Sequence, residues 1–422
     1  MKQKTATIIL MLTIVINALI VVPKQLIQNY YVLKLIVLVL GGGIITVFFA
    51  LNHKTLKLDK KDILILIFLG LVLISTILSS NITKSIIGQK NRYEGLLSFI
   101  SYISIYLFSK KYFDKTYLKK FINIMFYVSM VIGIFAILQN YIKIDLDPIF
   151  NKGVCSTFGN SNFFGSYISI VLPIAMAIFI FYGSKKSFIL GIIMFFNMIS
   201  SGTRSAWAAF GIIGILGIIY LIKERKWKFF KRAIILLGCF ILIFSCLYKD
   251  TGSVTKRKIN NIKSDINKIK GIDPETDQIG SGRIAIWRWT LNVIKEKPII
   301  GCGTDNLFSG LLEYGGDEYS AIVKRTNKAS DKAHNEYLQI AATIGVPALI
   351  IYLVFIGKIL VPKVKVMYRK KSYFIISAVI ISYLVQAFFN ISTIGIAPIF
   401  WMVLGLTENR IIVEELDEIM EK

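Results

Sequence analysis

Between its charged breaks the chain carries twelve apolar runs, at about 5–22, 31–51, 63–79, 95–109, 121–139, 163–182, 187–201, 205–222, 233–248, 337–361, 373–389 and 391–407. Runs of roughly 17–25 predominantly apolar residues are long enough to cross a hydrocarbon core as helices. The pattern therefore predicts an all-α polytopic membrane protein with about twelve transmembrane helices. The fourth, seventh and last runs are short or interrupted by Gly, Pro or Asn, so pattern defines them least. The first follows Lys2 and Lys4 without a small-residue cleavage site, and reads as a span that is kept.

The polar breaks alternate in character. "NHKTLKLDKKD" (52–62), "KKYFDKTYLKK" (110–120), "KERKWKFFKR" (223–232) and "PKVKVMYRKK" (362–371) are crowded with basic residues, whereas the breaks near residues 24, 140–162 and 200–204 carry few. The positive-inside rule puts the crowded breaks and both termini in the cytoplasm. This divides the chain into helices one to nine (1–248), a large extracytoplasmic loop (249–336), helices ten to twelve (337–407) and a cytoplasmic tail (408–422). The loop is too long and too polar for a simple connector. It opens on a charged, helix-prone stretch broken at Gly271 and Pro274. "SGRIAIWRWTLNVIKEKPIIG" (281–301) then predicts an amphipathic helix capped by Ser281 and stopped by Pro298 and Gly301. Ile284, Trp287, Leu291 and Ile294 would form the apolar face that lies at the outer membrane surface.

Composition agrees with this picture: 55% of residues are hydrophobic and 18% charged, where a soluble domain carries about 25% charge. The formal charge of +25 would suggest nucleic acid in a soluble protein. Here the lysines sit in short breaks between spans, where they orient the chain and meet anionic lipid, so the bilayer and not nucleic acid is the expected partner. The four cysteines show no metal-type spacing. Cys239 and Cys246 fall in an apolar run, while Cys155 and Cys302 fall in outer loops, where a disulfide is left open. No internal repeat is visible.

Four polar clusters all fall on the predicted outer side: "GQKNRYEGLLSF" (88–99), "STFGNSNFFGSY" (156–167), "SGTRSAW" (201–207), and the large loop from "SGR" (281–283) to "AHNEYLQ" (333–339). Unrelated spacers would scatter over both faces. Arg204 sits in a tight turn at the outer interface, where an arginine costs roughly 2.5–3.5 kcal/mol if drawn into the span. It reads either as a snorkelling helix-end residue or as an anion ligand, since a guanidinium fork matches phosphate. Arg283 opens the surface helix, where free N–H groups and the helix dipole already favour an anion; a solvated arginine is the plainer reading. Of the two histidines, His53 lies in a lysine-rich inner break and has no assigned role. His334 lies outside, with Asp331 three residues earlier to orient its ring if that turn is helical, and could take a proton from a sugar hydroxyl. Arg92 and Glu94 as a charged pair, with Asn160, Asn162 and Asn335 as planar amides, suit a glycan or acceptor groove, although capping explains the asparagines nearly as well.

Together these residues suggest transfer chemistry on an anionic, lipid-linked substrate: two arginines hold a diphosphate as it leaves, and a histidine activates the attacking hydroxyl. There is no GxxxxGK[ST] stretch, DxD cluster or His/Cys metal set, so neither cofactor nor metal is expected and arginines take the part a divalent cation plays elsewhere. The main alternative is a transporter or flippase of lipid-linked glycans. Its charges would lie near the bilayer midplane, commonly between repeated halves.

"NRYEG", "TFGNSNFFGSY", "SGTRSAW", "SGRIAIWRWTLNVIKEKPIIGCGTDNLF" and "AHNEYLQIAATIGVPALIIYL" occur here in the order in which the O-antigen ligase family carries its motifs, from about residue 88 to 407. The chain resembles that family, which also includes O-antigen polymerases and protein O-oligosaccharyltransferases. The resemblance implies a membrane glycosyltransferase that moves a glycan from undecaprenyl diphosphate to an acceptor outside the cytoplasm. It implies that Arg204 and Arg283 bind the diphosphate and that His334 is the base or positions the acceptor. The abundance of Ile, Lys and Asn suggests an AT-rich, Gram-positive genome. The acceptor stays open among a growing polysaccharide, a lipid and a protein.

Overall fold

The computed structural model describes residues 2–22, 29–52, 57–142, 154–249, 254–271, 282–326 and 329–421; His53 and Ser281 lie outside them. Regular structure among the described residues is entirely helical. The N-terminal half runs through α1 (Gln3–Leu19), α2 (Tyr31–Leu51), α3 (Lys60–Ile77), the short α4 (Ile82–Ile87), α5 (Leu96–Lys111), α6 (Leu118–Ile142), α7 (Ser161–Tyr182), α8 (Lys185–Ser201), α9 (Arg204–Glu224) and α10 (Trp227–Lys249). The polar segment forms α11 (Val254–Gly271), α12 (Arg283–Glu296), α13 (Leu307–Tyr314) and α14 (Asp317–Thr326). Then come α15 (Glu336–Thr343), α16 (Val346–Val366), α17 (Lys371–Phe388), α18 (Ala397–Glu408) and α19 (Arg410–Glu421).

Each of the twelve apolar runs overlaps at least one helix. Six of these, α2, α6, α7, α9, α10 and α17, are long and apolar enough to cross a membrane, and α1 and α18 are shorter apolar helices. The protein is a multi-pass membrane protein. The weak fourth run has a structural reason. α5 is the central helix, packed against α2, α3 and α18, and its serines 98, 101, 104 and 109 are buried in protein. A helix screened from lipid needs no apolar circumference. α10 is the opposite case: Ile234, Ile235, Leu237, Ile241 and Leu242 are exposed along it.

Two predicted spans are interrupted. The run 337–361 divides at Gly345 (φ +108), where an added Cβ would stand 2.0 Å from the Ile299 carbonyl oxygen. The polar segment clips onto that break: the N–H groups of Cys302, Gly303 and Val346 bond the carbonyls of Ala342, Thr343 and Pro298. The run 391–407 becomes helical only at Ala397; Asn390, Ile391, Ile394 and Ile396 before it are buried. Irregular backbone at such depth is tolerated where protein surrounds it. Asn390 Nδ2 there donates to the Asn162 carbonyl (2.9 Å) and the Ser166 hydroxyl (3.1 Å).

α12 forms where predicted, and a stripe outside its predicted apolar face packs into the polar segment. Gly282 occupies the cap position, and Ala285, Trp289 and Val293 pack with Leu307, Leu311, Tyr319, Ala333 and Ala342 into a small core of the polar segment. Ile284 and Leu291, expected on the face turned to the outer membrane surface, are exposed, while the segment builds its own core on the 285/289/293 stripe. All four cysteines are free, so Cys155 and Cys302 do not pair.

The basic breaks gather at one end of the bundle. Asp62, fully buried, takes ion pairs from Lys110 (2.8 Å) and Lys111 (2.7 Å), and shares a reciprocal cap with Asp59 at the start of α3. Glu408 receives both Lys61 and Lys363. Removing one partner of a buried pair strands its counter-charge, at roughly 3–5 kcal/mol. Asp62→Ala is expected to lower the thermal midpoint of the detergent-solubilised protein sharply. Lys115→Ala, which breaks an exposed pair with Glu415, is expected to leave the midpoint unchanged.

Candidate functional site

The four polar clusters meet at the other end of the bundle. Asn29 donates to Asn91 Oδ1 (2.6 Å) and to the Tyr93 hydroxyl (2.9 Å). The Thr203 hydroxyl donates to the Ser161 carbonyl (2.8 Å). Arg92 grips Asp331 with Nε (2.9 Å) and Nη2 (3.3 Å) and lies 5.5 Å over the ring of Phe163. Asn91, Tyr93, Ser156, Asp305 and His334 all hold positive φ here. Left-handed backbone is uncommon outside glycine and concentrates at sites over-determined by their surroundings.

A buried ionic knot underlies this surface. Lys332, 1% exposed, pairs with Asp305 and approaches Glu94 Oε2 at 3.6 Å. Asp305 also accepts the N–H groups of Gln89 (2.7 Å) and Glu94 (3.1 Å), and Tyr102 donates to Glu94 Oε1 (3.3 Å). Burial pushes the Glu94 carboxyl up, only partly offset by Lys332. Burial draws Lys332 down, but Asp305 and Glu94 outweigh it and hold the ammonium charged. Beside the knot, Glu336 accepts the hydroxyls of Tyr352 (3.0 Å) and Tyr383 (3.2 Å). A cavity of about 30 Å³ lies between Glu94, Asp305, Lys332, Glu336 and Gln339.

His334 rides on this knot. It follows Lys332 and Ala333, whose N–H is held by Gln339 Oε1 (2.9 Å), and precedes Asn335, the cap of α15. Its Nδ1 is buried without a hydrogen-bond partner. Burial, and then the charges of Arg283 and Arg92, pull the imidazole down to about 4, against a weaker upward pull from Asp331. The ring is neutral at pH 7. The predicted helical turn from Asp331 is absent: residues 329–335 are non-helical, and Asp331 bonds Arg92 instead, which keeps its carboxyl below the usual range despite burial.

Arg283 is the link. It is half-buried at the first position of α12 and makes no hydrogen bond or ion pair with a described residue. Burial, with the charge of Arg204, lowers its guanidinium to about 10. Its charge thus acts on His334 while that of Arg204 acts on it. Arg204 opens α9 and donates to Asp265 Oδ2 of α11 at 2.8 Å.

The structure therefore brings Arg204, Arg283, His334 and Arg92 together. It separates other expected partners: Arg92 and Glu94 do not pair, having taken Asp331 and Lys332 respectively. The asparagines are largely engaged locally. Asn160 Oδ1 caps α7 through the Asn162 N–H (2.8 Å), and Asn335 Oδ1 accepts the N–H groups of Tyr337 and Leu338 (both 3.0 Å). The Asn162 carbonyl, not its amide, holds Asn390. Sequence reasoning missed Lys332, Asp305 and Glu336. Lys332 immediately precedes the quoted motif that holds His334 and Glu336 lies within it, but only burial marks them out. Among the described residues no three His, Cys, Asp or Glu side chains converge as a metal site.

Residues 189–353 match the model of the O-antigen ligase family. The matched stretch runs from α8 into α16 and contains Arg204, Arg283 and His334, while Arg92, Glu94, Asn160 and Asn162 precede it. The chain is also 26% identical over 200 residues to a candidate polysaccharide ligase of Rickettsia conorii, covering 46% of this chain and 43% of that protein. The match thus spans less than half of that relative. The resemblance read from the motifs is borne out.

Lys332→Met would leave Glu94 and Asp305 buried together with no cation. The Glu94 carboxyl, already pushed up by burial and now without the lysine that lowers it, would rise further, so the stability it contributes is kept at low pH and lost as pH rises through the folded pKa. The variant is expected to melt at lower temperature than wild type at pH 8 and to recover part of the loss at pH 5, as read by thermal midpoint in detergent.

Proposed function

We propose that this O-antigen-ligase-like chain is a membrane glycosyltransferase that moves a glycan from a polyprenyl diphosphate to an acceptor hydroxyl outside the cytoplasm. In this reading the bundle crosses the bilayer about twelve times, with the basic end and both termini inside and the polar segment outside. The observation that carries it is the meeting of His334, neutral and with a buried unpartnered nitrogen, with a group of arginines of which Arg283 has no counter-ion among the described residues.

The chemistry follows from the arrangement. Arg204 and Arg283 grip the diphosphate, with Arg283 nearest the base. The acceptor oxygen attacks the anomeric carbon and its proton passes to His334. The bond from the anomeric carbon to the diphosphate oxygen breaks, and its electron pair leaves on the diphosphate. The arginines neutralise that charge as a metal ion does elsewhere. Rupture of a glycosyl–diphosphate bond is downhill, so no nucleotide is consumed. Arg92, fixed by Asp331 and stacked on Phe163, and the rim formed by Asn160, Asn162 and Asn335 contact the glycan or acceptor, with Glu94 supporting them from below.

The test is transfer by the purified full-length protein in lipid nanodiscs, given a polyprenyl-diphosphate glycan and excess chelator, with products sized on a gel. A ladder indicates polymerisation and a single shifted band indicates ligation. Absence of any transfer, or dependence on a divalent ion, counts against the scheme. His334→Ala is expected to reduce turnover roughly 10²–10⁴-fold while carrier binding persists.

A pH series gives a separate check. In kcat/KM, which reports the free enzyme, the acid limb is expected near pH 4, where the imidazole protonates. In kcat it is expected at higher pH, because bound diphosphate beside Arg283 favours imidazolium. An acid limb of kcat/KM at the ordinary histidine value would remove His334 as the base.

A further inference from the structure

α11 lies directly on the turn that presents Arg204. Gly202 (φ +62) stands two residues before that arginine, and a Cβ there would meet Val254 Cγ1 at 2.7 Å, Lys258 Cγ at 3.0 Å and Lys258 Cε at 3.3 Å. The stem of Lys258 is thus laid against the turn. Seven residues further, Asp265 Oδ2 accepts from Arg204 Nη1 at 2.8 Å, both side chains being about one-fifth exposed. Two helical turns separate positions 258 and 265, so they share one face of α11, which looks onto the start of α9.

The charge balance of this face is lopsided. Lys258 is lowered by burial and then by the charges of Arg204, Arg283 and Arg257. Neither Lys258 nor Arg283 bonds a described residue, and Asp265 is one carboxylate that Arg204 holds. Among the described residues Lys258 thus faces three like charges, a field that an entering anion relieves. Asp265 places a carboxylate oxygen where a phosphate oxygen would bind Arg204.

We infer that α11 completes the diphosphate site: Lys258 is its third cationic ligand, and Asp265 is an internal counter-ion that the diphosphate displaces from Arg204. This rests on the function proposed above and adds to it two residues and an exchange step. No covalent change is involved; one ion pair is traded for stronger ones, because a diphosphate carries more charge and more acceptor oxygens than a carboxylate.

The experiment uses full-length protein in nanodiscs, with inorganic pyrophosphate as the binding probe and the polyprenyl-diphosphate glycan as substrate. Lys258→Gln is expected to weaken pyrophosphate binding and raise KM for the carrier by about 10-fold with kcat changed far less, and Lys258→Arg to restore both. Asp265→Asn is expected to tighten pyrophosphate binding several-fold, since the competitor is gone. Wild-type binding by Lys258→Gln, or weaker binding by Asp265→Asn, would overturn the inference. If Arg204→Ala and Arg283→Ala lose binding while Lys258→Gln does not, the diphosphate site survives and only the role of α11 falls. If wild-type protein binds no pyrophosphate, the site itself fails.

Discussion

Lys332 sits between the carboxylates of Glu94 and Asp305, and through that contact the loop before α15 is tied both to the segment preceding α5 and to the turn before α13. Charges taken out of water cost several kcal/mol each, so such a knot is stable only when nearly every polar atom in it is satisfied. Here the backbone N–H groups of Gln89 and Glu94 and the Tyr102 hydroxyl do that work. The consequence is geometric. With Lys332 pinned below and Asn335 locked as the α15 cap, the two residues between them have no freedom, and His334 is held at positive φ with its ring among the arginines.

The same logic separates the two ends of the bundle. At the basic end each buried carboxylate is held by two lysines: Asp62 by Lys110 and Lys111, Glu408 by Lys61 and Lys363. At the other end Arg92 and Lys332 are neutralised, but Arg283 and Lys258 are not matched by described carboxylates. At one end the buried carboxylates tie basic breaks together, and at the other two half-buried cations meet no described carboxylate. Incompleteness of that kind suits a site whose missing charge arrives with the substrate, and it is why the proposed function rests on the pattern of pairing rather than on the number of basic residues.

The helices arrange themselves accordingly. α5, rich in serine and surrounded by protein, forms the axis; α10, apolar on nearly every side, lies at the rim. Glu336, with its two tyrosine hydroxyls, and the non-helical stretch before α18 show that polar groups persist at depth only where neighbouring helices satisfy them.

From the amino-acid order alone came the helical class, the positions of the apolar runs, the sorting of polar clusters into two groups, and the family resemblance with Arg204, Arg283 and His334 as its marked residues. Those features are local or additive: length, period and charge are properties of a segment and survive without knowledge of its neighbours. Pairing is not. Arg92 found Asp331 rather than Glu94, α12 gave its 285/289/293 stripe to the polar segment's own core, and the run after His334 broke at Gly345 because the Ile299 carbonyl occupies the space a side chain would need. Lys332 and Asp265 look like ordinary loop charges until the fold decides which carboxylate meets which cation. Burial and proximity across more than two hundred residues of sequence set those choices, and only the tertiary structure contains them.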